Sequence, residues 1–134
     1  MFESGLIKRL FAADNELDRF DILTEAAFSA EKFPDEWKTD ENRLSSCETR
    51  TWFRLVRDGG VKLLAESDSL FVKGLCMALG EAAKDLRPGE DIGFAEACFA
   101  RGIIDAGRRD GLLSLERKII EFIDQPEDKN EKSN

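Results

Sequence analysis

Histidine and tyrosine are both absent from this chain of 134 residues. A Cys–His catalytic pair is therefore excluded. A cysteine that does chemistry here works without an imidazole partner, which points away from hydrolysis and toward sulfur chemistry. Cysteine itself is scarce, at three residues, Cys47, Cys76 and Cys98. So few, in odd number, make no disulfide framework and leave at least one thiol free. Without a Cys-x-x-Cys spacing or a histidine they carry no zinc pattern either. Basic residues are outnumbered, 20 Lys and Arg against 28 Asp and Glu, giving a net charge of −8. Such a surface repels phosphate backbones and disfavours nucleic acid, while suiting a basic patch on a protein partner. No apolar run approaches the length of a membrane span. The opening stretch, Met1 to Arg9, lacks the apolar core of a signal peptide. The expected compartment is the cytoplasm, with no membrane contact.

What is present suits one domain. The length matches a single folding unit, and a hydrophobic fraction of 42% is ordinary for a globular core. Phe2, Leu6, Ile7, Leu10 and Phe11 recur at helical spacing over residues 2–12. Asp14 reads as the N-cap of a second helix with Leu17, Phe20, Leu23 and Ala27 on one face. Residues 31–46, which include Pro34, read as an extended polar loop. Strand signals are confined to 50–57 and 61–66. Asp58-Gly59-Gly60 between them tolerates the positive φ of a tight turn, so the two form a hairpin. Phe53 and Leu55 then share a core face with Val61, Leu63 and Ala65. Gly59-Gly60 lacks the lysine and following helix of a phosphate loop. Ser67 or Asp68 reads as the cap of a central apolar helix over about 69–84, and Arg87-Pro88-Gly89 breaks the chain. Asp91 starts a shorter helix with Phe94, Cys98 and Phe99, ended by Gly102. The last helix runs from about 108 to 124, carrying Leu112, Leu115, Ile119, Ile120 and Ile123. The tail, 125–134, is polar and expected to be disordered. The fold class is α+β, a small antiparallel sheet (hairpin 50–66) packed with about five helices in a single domain over 1–124.

Within this frame Cys47 stands apart. It lies among small polar residues, Asn42-Arg43-Leu44-Ser45-Ser46-Cys47-Glu48-Thr49-Arg50-Thr51-Trp52, at a strand entrance. Loops held by a rigid scaffold are where chemistry tends to be placed. Cys76 and Cys98 fall on apolar helix faces and read as small hydrophobes. Trp52 reads as packing, and Arg108-Arg109 opens the last helix.

Three blocks in order resemble the SufE family, the sulfur acceptors that work with cysteine desulfurases. They are Cys47-Glu48-Thr49-Arg50-Thr51-Trp52, then Glu66-Ser67-Asp68 with Val72-Lys73-Gly74-Leu75, then Arg108-Arg109-Asp110-Gly111-Leu112. The resemblance spans roughly residues 17–123. The chain departs from the family pattern at Ser46, where glycine is usual, at Thr49, and at Thr51, where valine is usual before the tryptophan. The Gly-x-x-Leu-Pro segment upstream is also missing, so the chain resembles a divergent member.

The resemblance implies a SufE-like fold and a sulfur carrier that accepts persulfide sulfur on Cys47. The implied partners are a cysteine desulfurase and the iron–sulfur scaffold proteins that receive the sulfur. Pyridoxal phosphate then belongs to the desulfurase, no cofactor is expected here, and the chain is a monomer or weak dimer. Such a protein is a carrier and desulfurase activator rather than a stand-alone enzyme. Attack on a persulfide requires a thiolate. Arg50 and Arg108 are the expected anion stabilisers, opposed by the charges of Glu48 and Glu66. Glu66 and Asp68 are candidates for the desulfurase interface, Asp68 alternatively being only a cap. A loop that tucks Cys47 inward at rest would protect the outer sulfur, with Ser45 and Ser46 satisfying polar groups there. The alternatives are a non-catalytic interaction module on the same fold, or a thiol redox sensor, for which the sequence offers no resolving cysteine close to Cys47.

Overall fold

The computed structural model describes residue 2, residues 4–45 and residues 47–125. Its helices are α1 (Gly5–Ala12), α2 (Glu16–Phe28), α3 (Leu70–Ala83), α4 (Phe94–Ala100) and α5 (Ala106–Asp124). Strands β1 (Thr51–Arg57) and β2 (Val61–Ser67) pair antiparallel as a two-stranded sheet. The fold is the expected α+β arrangement of a hairpin among five helices.

The hairpin register sets Phe53 opposite Ala65, Leu55 opposite Leu63 and Arg57 opposite Val61. Because side chains alternate along a strand, these residues fall on one face. That face packs against α3, whose Leu75, Ala78 and Leu79 are sealed from solvent. Gly59 takes the positive φ (69°) that the turn demands. Gly60 leaves no room for a side chain, since the Lys84 carbonyl lies against it. The hairpin tip is thereby seated on the C-terminal end of α3. On the opposite face Trp52 and Leu64 join Phe33 and Trp37 in a second, smaller cluster.

Several boundaries differ from the sequence expectation. The cap of α2 is Asn15 rather than Asp14, with its Oδ1 accepting from the Asp18 N–H at 2.8 Å. Ser69, rather than Ser67 or Asp68, caps α3, its Oγ accepting from the Val72 N–H at 3.2 Å. Asp91 does not start α4. Its carboxylate accepts from the adjacent Ile92 N–H, and α4 begins after Gly93, which has φ 72°. The first turn of α4 is satisfied from another element, since the buried Glu116 of α5 accepts from the Ala95 N–H at 2.6 Å. Helix α5 begins at Ala106, earlier than expected, because Asp105 caps it through the Arg108 N–H at 2.9 Å.

Only half of the apolar face expected on α2 reaches the core. Leu23 and Ala27 are buried, but Leu17 and Phe20 are 68% and 48% exposed. Phe20 lies instead against Phe71, ring to ring at 6.4 Å. Residues 31–46 are not simply extended, since 3-10 turns form at Asp35–Trp37 and Asp40–Asn42. The Asn42 side chain donates to the Trp37 carbonyl at 2.8 Å and locks these turns together. Arg43 then bridges to Trp52 beside the hairpin. The tail expected to be disordered lies, beyond Gln125, outside the described residues. No helix among the described residues is long and apolar enough to cross a membrane.

Candidate functional site

Cys47 lies where β1 begins, β2 ends and α3 starts. Its loop is closed by main-chain bonds at both ends. The Leu44 N–H donates to the Thr51 carbonyl at 2.8 Å, and Leu44 itself is buried in the main core. The Cys47 N–H donates back to the Leu44 carbonyl at 3.4 Å. On the far side the Arg50 carbonyl accepts from the Asp68 N–H at 3.0 Å and from the Ser67 hydroxyl at 3.2 Å. The loop is thus tied to the end of β2 rather than left free. Cys47 is half-buried and packs against the main core, a resting position partly withdrawn from solvent.

The sulfur meets a hydroxyl. Thr51, fully buried, places Oγ1 3.6 Å from Cys47 Sγ, 3.0 Å from the Thr49 carbonyl oxygen and 3.0 Å from Ser67 Oγ. Ser67 Oγ in turn accepts from the Ser69 N–H at 3.2 Å. Thr51 and Ser67 thus satisfy polar groups beside the sulfur, the role expected of Ser45 and Ser46. Ser45 is exposed and Ser46 lies outside the described residues. Sequence reasoning missed Thr51 and Ser67. The available signal was their position: they face each other at the open end of the hairpin, where Thr51 pairs with Ser67.

Arg50 turns its guanidinium to Asp68, with Nε 2.8 Å from Oδ2, and lies over the Trp52 ring at 5.5 Å. Glu66 is held by Lys73 at 3.2 Å and accepts from the Ser67 N–H at 2.9 Å, so its carboxylate is engaged within the fold. Asp68 remains half-exposed beside the cysteine loop. Arg108 stands apart from these four. It reaches Asp105 at 3.8 Å and lies over Phe71 at 5.2 Å. It lines a groove of about 790 Å³ with Leu17, Phe20, Ser69, Phe71 and Ile104. Ser69 is the point where that groove borders the cysteine site.

The other two thiols are sealed. Burial pushes Cys76 up to about 12, with the nearby Cys47 adding to the effect. Burial likewise pushes Cys98 up to about 12, Glu116 reinforcing it and Arg101 opposing it. Both remain thiols and fill space, as their apolar helix faces suggest. Cys76, remote in sequence, is nonetheless a cysteine that the fold brings toward Cys47.

The arrangement defines a small α+β domain presenting one accessible thiol from a tied loop. Residues 4–122 match the family described as SufE, Fe-S metabolism associated domain, and the chain belongs to that family. A chloroplastic quinolinate synthase from Arabidopsis thaliana is 30% identical over 87 residues, covering 63% of this chain and 12% of that protein. A cysteine desulfuration protein SufE from Wigglesworthia glossinidia brevipalpis is 24% identical over 92 residues, covering 67% of this chain and 64% of the relative. The chain therefore spans less than two thirds of the length of either relative. The solution structure of a hypothetical protein from Thermus thermophilus shares the fold, with a TM-score of 0.63 at 19% identity over 87% of this chain and 88% of that one.

Proposed function

We propose that this protein is a cytoplasmic sulfur acceptor and carrier. It takes persulfide sulfur from a cysteine desulfurase onto Cys47 and passes it to a scaffold for iron–sulfur cluster assembly. The observation that carries the reading is the contrast among the three thiols: Cys47 is tied at the mouth of the hairpin within reach of solvent, while Cys76 and Cys98 are buried. Membership of the SufE family supports the same reading.

The step balances without an external oxidant. The Cys47 thiolate attacks the outer sulfur of the desulfurase persulfide. The S–S bond breaks, its electron pair leaves on the desulfurase cysteine, and that thiolate takes up the proton. Cys47 then carries the sulfur as its own persulfide. Arg50 and Asp68 lie on the loop's exposed side and would meet the desulfurase. Arg108 would meet it through the Phe71 groove.

Intact-mass spectrometry after incubation with a cysteine desulfurase and free cysteine tests the reading. The expected result is an adduct of about 32 Da on the wild type that is lost in Cys47→Ser. Binding to the desulfurase without any adduct would replace the carrier by a non-catalytic interaction module. That alternative draws on the Arabidopsis relative, in which the similar segment is only 12% of a much longer protein.

A further inference from the structure

We propose that the Thr51 hydroxyl is a switchable donor to the Cys47 sulfur, turning to Sγ when the sulfur is anionic and to the Thr49 carbonyl when it is not. This rests on the sulfur-acceptor reading for its purpose, though the hydroxyl's behaviour toward the thiol can be measured alone.

Thr51 is 0% exposed. Its single hydroxyl proton cannot reach water and must go to one of three acceptors, Cys47 Sγ, the Thr49 carbonyl or Ser67 Oγ. Ser67 has the same freedom, since its proton can go to the Arg50 carbonyl or to Thr51 Oγ1. Two hydroxyl protons therefore share more acceptors than they can fill. They can reorder by rotation alone, without moving a heavy atom.

With Cys47 neutral, both protons go to carbonyls, Thr51 to Thr49 and Ser67 to Arg50. With Cys47 ionised, they turn into a chain. The Ser69 N–H donates to Ser67 Oγ, Ser67 donates to Thr51 Oγ1, and Thr51 donates to the sulfur. That chain starts at the N-terminus of α3, a helix of 14 residues, where the macrodipole is positive. Hydrogen bonds to ionised groups are stronger than neutral ones, and linked bonds polarise one another.

The charged neighbours leave this task to the hydroxyls. Arg50 is paired with Asp68, and Lys73 with Glu66. Glu48, exposed on the loop, carries no proton donor for the sulfur. Cys76, on α3, is buried and protonated. Among the described residues, Thr51 is the side chain that hydrogen-bonds Cys47 Sγ.

The consequence falls on both halves of transfer. During uptake the donor favours the attacking thiolate. While sulfur is carried, Sγ is covalently bonded and uncharged, and the hydroxyl returns to Thr49. On discharge an acceptor thiolate attacks the outer sulfur and the S–S electron pair leaves on Sγ. Thr51 is then in place to receive that leaving thiolate. A valine at position 51 would have no such donor, which makes Thr51→Val the direct probe of the hydroxyl.

The test is the pH–rate profile of Cys47 alkylation by iodoacetamide, read by mass on the full chain without any desulfurase. Thr51→Val should shift the profile to higher pH and slow alkylation at neutral pH roughly three- to tenfold, while Thr51→Ser keeps the wild-type profile. Ser67→Ala, which breaks the relay but leaves Thr51, should shift it partway, and it decides the matter if Thr51→Val does not fold. A wild-type profile in Thr51→Val or Ser67→Ala overturns the proposal, as does an equal shift in Thr51→Val and Thr51→Ser. Failure of the carrier reading shows elsewhere, as absence of the sulfur adduct with desulfurase.

Discussion

Gly74 of α3 stands directly against the main-chain carbonyl of Leu23 in α2. A Cβ at position 74 would lie 2.6 Å from the Leu23 carbonyl carbon and 2.8 Å from the Leu23 Cβ. Both neighbours are fixed, one in the backbone of a helix and the other in a fully buried side chain. On propensity alone Gly74→Ala would stabilise α3 by about 1 kcal/mol. Overpacking at a helix contact typically costs about 1–3 kcal/mol and should win here. Urea unfolding is expected to show a lower midpoint with an unchanged slope. A variant as stable as the wild type would mean that the two helices are further apart than described.

Glu116 makes stability depend on pH. Burial raises its carboxyl above the ordinary value of 4.5, the Ala95 N–H pulling the other way and Asp91 adding to the rise. The folded chain thus holds this proton more tightly than the unfolded chain. The contribution is fully present below the unfolded carboxylate range and is lost as pH rises through the folded value. Glu116→Gln keeps an oxygen for the Ala95 N–H but cannot ionise. It should flatten this part of the stability profile and be at least as stable as wild type at neutral pH. Glu116→Ala leaves a buried N–H without its acceptor and should cost about 1–3 kcal/mol. Thermal melts across pH for the three proteins check both statements. Parallel profiles for wild type and Glu116→Gln would contradict the first.

How far each feature could be read from sequence depends on where its partner lies. The hairpin was legible because period-two alternation and Asp58-Gly59-Gly60 are local signals, and its core face came out as expected. The place of Cys47, on a loop at the entrance of β1, was legible from the small polar residues around it. Caps were misplaced by one or two positions because Asp14, Asn15, Ser67, Asp68 and Ser69 are all competent caps and only backbone geometry selects among them. The capping of α4 by Glu116 was not readable, since acceptor and donor belong to different helices. Gly74 could be seen as part of Val72-Lys73-Gly74-Leu75, but its reason lies across the interface in Leu23. The ion pairs beside the cysteine loop were not readable either, since Arg50 meets Asp68 and Glu66 meets Lys73 only once the hairpin and α3 are in place.

The three thiols should separate cleanly in a native titration. Cys76 and Cys98, raised to about 12, are effectively un-ionised near neutrality and shielded from reagent. A disulfide reagent at pH 8 is expected to release colour equivalent to one thiol from the folded wild type and none from Cys47→Ser. In denaturant all 3 cysteines of the wild type should react. A second fast thiol in the native protein would show that α3 or α4 opens far more readily than its packing suggests.

Leu44 links packing to the exposure of the sulfur. It is 3% exposed, and its main chain supplies both bonds that close the loop, N–H to Thr51 and carbonyl to Cys47. Removing the side chain leaves those bonds possible but takes away the burial that holds them in place. Leu44→Ala should destabilise the protein by about 2–5 kcal/mol, in the range of buried leucine truncations. It should also raise the alkylation rate of Cys47, because the loop opens locally before the core unfolds. Leu44→Met, which keeps most of the volume, should restore the wild-type alkylation rate. The decisive comparison is with Ile119→Ala, a core truncation away from the loop. Equal acceleration in the two alanine variants would mean that the added reactivity follows from lost global stability, and that Leu44 does not act as the anchor of its loop.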